Sequence, residues 1–401
     1  MIQTMRWFGP NDPVSLMDIR QAGCSGVVSA LHQIPVGEVW SIEAIEERKG
    51  LIETGNGQFT SLNWIVVESL PVHEDIKKGL PSRERYISNY KESLRNLAAS
   101  GIKTVCYNFM PVLDWSRTKL DYTLPEGQKT LRFVWEDFAL FDLYILQRPG
   151  AFDDYEMEVQ ESALSKLNAM SQEEIGALTN TVLLGLPGSE EAFELTEFQS
   201  LLNAYTEIGD KELRENLYYF IGQIAPLAQE LGINLCIHPD DPPKSLLGLP
   251  RVVSTESDLA ELLQSCDVRA NGITFCTGSL GVRADNNLPE MVRKFGDRIH
   301  FVHLRTTKRD SDNPLNFHEA PHLEGDVDMY EVVKALVQEE KRRNENQYTD
   351  NQLPMRPDHG FQMLNDLNKR TYPGYSAIGR LKALAELRGL EMSILRSLPQ
   401  F

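Results

Sequence analysis

Ile233-Asn234-Leu235-Cys236-Ile237-His238, Gly272-Ile273-Thr274-Phe275-Cys276, Ile299-His300-Phe301-Val302-His303 and Leu353-Pro354-Met355-Arg356-Pro357-Asp358 are short apolar runs in the C-terminal half of the chain. Each ends on a side chain able to ligate a metal, and turn residues and then a helical pattern follow. The repetition is the informative part. A strand of a parallel barrel delivers its functional residue at its C-terminal end. Successive deliveries of His, Cys, His and Asp predict one wall of such a barrel, with a divalent ion at its rim and room left for a substrate.

Outward from these runs the same rhythm continues. Gln3–Phe8, Gly26–Leu31, Asn63–Glu68 and Ile102–Phe109 read as four earlier strands. Helical spacing fills the gaps at Ser15–Ala22, Ile42–Gly50, Ser82–Ser100, Lys211–Leu231, Ser257–Gln264, Leu288–Phe295, Asp328–Glu340 and Gly379–Ser393. In Lys211–Leu231 the apolar residues Leu213, Leu217, Phe220, Ile221 and Ile224 recur at the period of a helix. Strands alternating with helices imply a parallel sheet, and eight of them imply closure into a single α/β domain, a (β/α)8 TIM barrel over residues 1–401.

One gap breaks the rhythm. Pro111–Gly209 is far longer than a βα loop and is dense in aromatics, among them Trp115, Trp135, Phe138 and Phe141. It is expected to be a mostly helical insertion after the fourth strand, over the barrel mouth or at a subunit contact. Lys341–Gln352 is polar and Asn-rich and reads as a surface loop.

Bulk properties narrow the partners. The net charge of −18 over 401 residues disfavours nucleic acid and anionic membranes, and with them a nuclease of similar fold. An anionic substrate stays allowed, because Arg side chains and a metal can reverse the field locally. Cys24, Cys106, Cys236, Cys266 and Cys276 are odd in number and widely spaced, which suits a reducing compartment. No charged n-region with an apolar segment opens the chain, and no apolar run approaches a membrane span. A cytoplasmic protein is expected, assembled as a homo-oligomer.

Strand periodicity sorts the candidate ligands. His238 shares a face with Cys236, whereas His303 and His300 lie on opposite faces, so His300 is the expected core histidine. A lone strand-end His is commonly a hydrogen-bonded structural residue, and a lone Cys in an apolar run is commonly core. All four together, on consecutive strands, favour a metal. Thiolate disfavours Mg²⁺ and Ca²⁺, leaving Zn²⁺, Fe²⁺, Co²⁺ or Mn²⁺. The stiff turn Pro239-Asp240-Asp241-Pro242-Pro243 would hold His238 in place. Thr277-Gly278-Ser279 brings backbone close to a ligand but is not a phosphate loop, since its Lys and spacing are wrong. Arg305, two residues past His303, suits a substrate carboxylate or else is a surface cation. Asp358-His359 sets a proton carrier beside a ligand.

Several stretches together resemble the mannonate dehydratase family. They are Met5-Arg6-Trp7-Phe8-Gly9, Gly26 to His32, Ile237 to Pro243, Phe275 to Ser279, Val302 to Arg305, Arg356-Pro357-Asp358-His359-Gly360 and Pro373-Gly374-Tyr375. The resemblance runs from residue 5 to about 390. It implies a metal-dependent TIM barrel similar to xylose isomerase. The implied activity is removal of water from D-mannonate to give 2-keto-3-deoxy-D-gluconate, a step of hexuronate (glucuronate) catabolism, with Fe²⁺ or Mn²⁺ as cofactor. The implied metal ligands are His238, Cys276, His303 and Asp358, and the implied proton carriers His359 and Tyr375, with Tyr372 a competitor for the tyrosine. Either of the pair can be the base. Arg305, Arg356, His32 and Asn108 are expected to bind substrate, and His322 to belong to a lid or a surface loop. Rival functions are a metal-dependent sugar isomerase or epimerase, which would conserve substrate mass, and a non-catalytic barrel that binds a sugar acid.

Overall fold

The computed structural model describes residues 1–53, 61–184 and 194–397, and the part of the insertion over residues 185–193 lies outside them. In chain order the strands are β1 (Ile2–Arg6), β2 (Gly26–Ser29), β3 (Asn63–Glu68), β4 (Thr104–Tyr107), β5 (Lys119–Thr123), β6 (Lys129–Phe133), β7 (Asn234–Ile237), β8 (Asn271–Cys276), β9 (Ile299–His303), β10 (Thr307–Arg309), β11 (Phe317–Glu319) and β12 (Pro354–Arg356). Eight of them close a barrel in the order β1-β12-β9-β8-β7-β4-β3-β2, every neighbour parallel. These are the eight strands expected from the sequence.

Register decides which side chains meet. Cys276 pairs with His303, and His303 with Arg356, so three strand ends arrive at one height. Below them Val28, Val66, Cys106, Cys236 and Phe301 form a separate buried plug. Phe301 and Cys236 lie two positions before His303 and His238, on the same faces, so the site rests on a filled barrel interior. The outer faces of the strands meet the helices. Asp210–Leu231 buries Leu213, Leu217, Phe220, Ile221 and Ile224, each worth about 1.5–3 kcal/mol of burial, and stops at Gly232 with φ 69°.

Two departures from the sequence reading matter. The insertion does not begin as helix. β5 and β6 form a hairpin whose inner strand pairs with β11, giving a four-stranded antiparallel sheet β10-β11-β6-β5. β10 and β11 belong to the loop after β9, so two distant loops are knitted into one sheet over the mouth. The alternation that marks β5 was masked by the aromatic-rich helices after it. These pack their own core around Phe133, Phe138, Phe141 and Phe198. The second departure is the helix Met329–Glu345, which runs into the stretch expected as a surface loop. Arg343 there is fully buried and donates to the carbonyls of Gly296 (2.6 Å) and Ile299 (2.7 Å). A charge counted as surface is a core anchor.

Candidate functional site

The expected ligands converge. Donor atoms of His238, Cys276 and His303 all lie within 4.8 Å of one another. Asp358 closes the group, its Oδ2 3.6 Å from Cys276 Sγ and its Oδ1 3.6 Å from His303 Nδ1. Each is aimed by its surroundings. His238 Nδ1 lies 2.7 Å from the carbonyl of Pro239, which leaves Nε2 free to ligate. Cys276 ends β8 and caps the turn Thr277–Leu280, where Ser279 donates to Sγ from its N–H (3.4 Å) and its hydroxyl (3.2 Å). Glu68 Oε1 is 3.3 Å from His303 Nε2, and His303 Nδ1 is buried with no hydrogen-bond partner. Asp358 follows β12 with φ 63°, a left-handed conformation that costs strain in a non-glycine residue. Arg356, His359 and Arg305 hold its carboxyl well below the usual carboxylate range against the opposing effect of burial.

His359 and Tyr375 are also brought together, with ring centroids 5.1 Å apart. The bond from Gly360 N to Gly374 O (2.7 Å) ties their two segments. At Gly374, φ 81°, a Cβ would come within 3.3 Å of the His359 ring, so the close approach needs glycine. Tyr372 instead packs edge-on against Phe8 and faces a separate outer cavity. Burial raises the Tyr375 phenol, while Arg6 and Arg356 pull it back down. His359 Nδ1 lies 3.0 Å from Glu319 Oε1 on β11, a carboxylate that the sequence reading missed. Burial alone would raise the Glu319 carboxyl, but Arg305, His359 and Arg117 outweigh it and lower it.

Glu319 belongs to a buried charge cluster. Arg117 donates to Asp241 (2.7 Å) and Glu319 (3.1 Å), and Arg305 donates to Asp241 (2.6 Å). Arg305 Nη1 also stands 3.1 Å from His359 Nδ1 and 3.2 Å from Asp358 Oδ2. Its aliphatic neck runs over Gly278, where an added Cβ would lie 1.7 Å from Nε. The glycine of the Cys276-Thr277-Gly278 loop therefore makes room for Arg305.

An inner cavity of about 30 Å³ is bordered by Arg6, Glu68, His238, Asp358, His359 and Tyr375. It shares Arg6, Ser69, Asn108 and Asp114 with a neighbouring cavity of about 420 Å³, where Glu197 and Leu201 of the insertion form part of the wall. Asn108 lies between the two, donating to Asp114 (3.0 Å). Arg356 lines the inner cavity but donates to Glu68 (2.9 Å), His303 (3.1 Å) and Asp358. His32 does not reach the inner cavity; it faces the neighbouring one and stacks on Phe8 at 5.9 Å. Burial pushes its pKa down to about 3, so the ring is neutral. His322 corrects an expectation. It is 4% exposed and its Nε2 bonds the Pro357 carbonyl (2.8 Å), so it braces the turn before Asp358 and is neither lid, surface loop nor cavity wall. His300 is buried and bonds the Arg269 carbonyl (2.8 Å), away from the site.

Comparison with known proteins adds to this geometry. The family described as D-mannonate dehydratase (UxuA) matches residues 1–399. The chain is 54% identical over 394 residues to the mannonate dehydratase of Marinomonas sp. (strain MWYL1), covering 98% of this chain and 99% of that one. It is 52% identical over 394 residues to the mannonate dehydratase of Chromohalobacter salexigens, with the same coverage. Among solved structures, mannonate dehydratase from Streptococcus suis serotype2 superposes with a TM-score of 0.76 at 33% identity, over 100% of this chain and 96% of that one.

Proposed function

The chain belongs to the D-mannonate dehydratase family, and from that premise we propose how its barrel mouth works as a metal-dependent hydro-lyase. The substrate is D-mannonate and the reaction removes water from it. His238, Cys276, His303 and Asp358 would hold Fe²⁺ or Mn²⁺. The observation that carries this reading is the convergence of the three donor atoms within 4.8 Å, with Asp358 3.6 Å away. The donors fit such an ion: two imidazoles, a thiolate and a carboxylate suit a borderline transition metal. His303 Nδ1 is buried without a hydrogen-bond partner, so its lone pair is available to an ion. When bound, the ion supplies Lewis acidity that lowers the barrier to charge building up beside the substrate carboxylate.

The protein supplies the proton chemistry. Dehydration breaks C2–H and C3–O. A base takes the C2 proton, an acid protonates the departing C3 hydroxyl, water leaves, and the resulting enol tautomerises to 2-keto-3-deoxy-D-gluconate. His359 and Tyr375, 5.1 Å apart at the cavity wall, are the pair we assign to these steps. In the tautomer with its proton on Nδ1, His359 would donate to Glu319, which Arg305 also pairs with, and would present Nε2 to the substrate. Asn108 and His32 would bind distal hydroxyls from the larger cavity. Arg356 and Arg305 act by orienting Asp358, and Arg305 also by pairing with Glu319. We also read the protein as a cytoplasmic homo-oligomer. Supporting this are five unpaired thiols and the exposed Leu381, Met392 and Leu395 on the last helix. Sedimentation would measure the assembly.

Mass spectrometry of the product tests the core reading. D-mannonate should lose one water, chelation should stop it, and Fe²⁺ or Mn²⁺ should restore it. Isomerisation at constant mass, or full turnover by a rigorously metal-free sample, would overturn it.

A further inference from the structure

Arg6, Arg305 and Arg356 all border the inner cavity. Two of these guanidinium groups are committed to the protein. Arg356 is spent on Glu68, His303 and Asp358. Arg305 is spent on Asp241, Asp358 and Glu319, and its Nε is pressed against Gly278.

Arg6 differs. It is 4% exposed and its Nε is buried without a hydrogen-bond partner, as is that of Arg305, but unlike Arg305 and Arg356 its guanidinium donates no hydrogen bond to a protein acceptor among the described residues. Among the described residues, the one carboxylate within 4.0 Å of its guanidinium is Glu68, whose Oε1 stands at 3.9 Å, beyond hydrogen-bond length. Its Cζ lies 4.6 Å from the centre of the Phe8 ring, which acts as a shelf. Arg380 donates to the Arg6 carbonyl (2.7 Å) and pins the end of β1. Arg6 borders both the inner and the larger cavity, so it stands at their junction.

A buried guanidinium left short of partners is costly, and a ligand carboxylate repays that cost through two parallel charge-assisted hydrogen bonds. We propose that Arg6 is the residue that recognises the carboxylate of the polyhydroxy acid, with Phe8 holding its plane toward the cavity. This rests on the dehydratase reading and deepens it. It moves the carboxylate contact from Arg305, where the sequence put it, to the opposite side of the mouth. It also explains how a chain of net charge −18 admits an anion: the attraction is local and buried.

The test compares D-mannonate with its neutral analogue D-mannonamide on metal-loaded, full-length protein. Binding is measured in a His359→Asn background, where turnover is low. Arg6→Gln should weaken D-mannonate by about 10²-fold and leave the amide within about threefold, erasing the preference for the acid. Arg6→Lys should keep the charge, lose the fork, and weaken the acid by about tenfold with the amide again unmoved. Unchanged binding of the acid overturns the proposal, and so does an equal loss for acid and amide. If Arg6→Gln does not fold, Arg6→Lys decides by the same ratio. Conversion of D-mannonate by the wild type is followed separately. Its absence counts against the dehydratase reading, whereas the acid-to-amide ratio speaks only to Arg6.

Discussion

The two halves of the barrel mouth are built on opposite plans. On the side of β7, β8, β9 and β12, the strand ends carry His238, Cys276, His303, Arg356 and Asp358, and these groups are packed into mutual contact. On the side of β1 to β4 stand Arg6, His32, Glu68 and Asn108. There Arg6 Nε, His32 Nε2 and Glu68 Oε2 are buried without hydrogen-bond partners, whereas the unpartnered atoms of the first side are His303 Nδ1, which faces the metal ligands, and Nε of Arg305, a guanidinium already held by three ion pairs. The difference teaches a division of labour. The first side is preorganised, so that ligands and proton carriers need not rearrange during the reaction. The second side holds unmet hydrogen-bonding capacity, which a polyhydroxy acid can fill.

If that division holds, changes on the first side lower turnover and changes on the second raise KM. Cys276→Ser should have the largest effect. Loss of the thiolate should lower metal content by elemental analysis and cut formation of the keto-deoxy acid by roughly 10³-fold. Normal metal content and turnover would break the comparison at its strongest point. His359→Asn comes next: metal content near wild type, kcat down by about 10²-fold. Glu319→Gln should lower kcat by about tenfold with little change in KM, because it weakens the hold on His359 without touching substrate. A KM effect larger than the kcat effect would put Glu319 on the recognition side instead. His32→Asn should raise KM by about threefold and spare kcat.

A separate effect concerns stability outside both halves. Burial lowers the His300 pKa from 6.5 to about 3. The unfolded chain therefore takes up this proton first. The stability linked to a neutral His300 is complete above about pH 6.5 and is lost as pH falls toward 3, by up to about 1.4 kcal/mol per pH unit. Denaturant titrations of wild type and His300→Gln should show the mutant curve flatter over that window. Parallel curves would mean that His300 titrates normally.

Much of this was legible in the chain. All eight barrel strands were, because a continuous apolar run bounded by turn residues marks a strand buried on both faces. The ligand quartet was legible for the same reason, each member ending a strand. The strand-end rule pointed to His32 and Asn108 as well, but Arg6 was hidden because the first apolar run reads on to Phe8, past the true end of β1, and Glu68 at the end of β3 carried no sign of its partners Arg356 and His303. Glu319 and Arg117 carried no such mark. They reach the site through the sheet of β5, β6, β10 and β11, whose pairing joins residues nearly two hundred positions apart. A strand as short as Phe317–Glu319 has too few residues to show periodicity. Arg343 and His322 misled for a related reason: a polar side chain in a polar stretch gives no sign that carbonyls wait for it in the interior.

By itself, then, the sequence determined the barrel, its closure, and the identity of the four groups at the rim of its second half. These follow from local periodicity and from where a parallel strand must end. Only the tertiary structure decided which charges are spent and which are free. Three arginines sit within reach of one cavity, and nothing in their spacing says that Asp241, Glu319, Asp358 and Glu68 occupy two of them and leave Arg6 unsatisfied. Hydrogen-bond saturation depends on distances between segments hundreds of residues apart, and those exist only once the chain has folded.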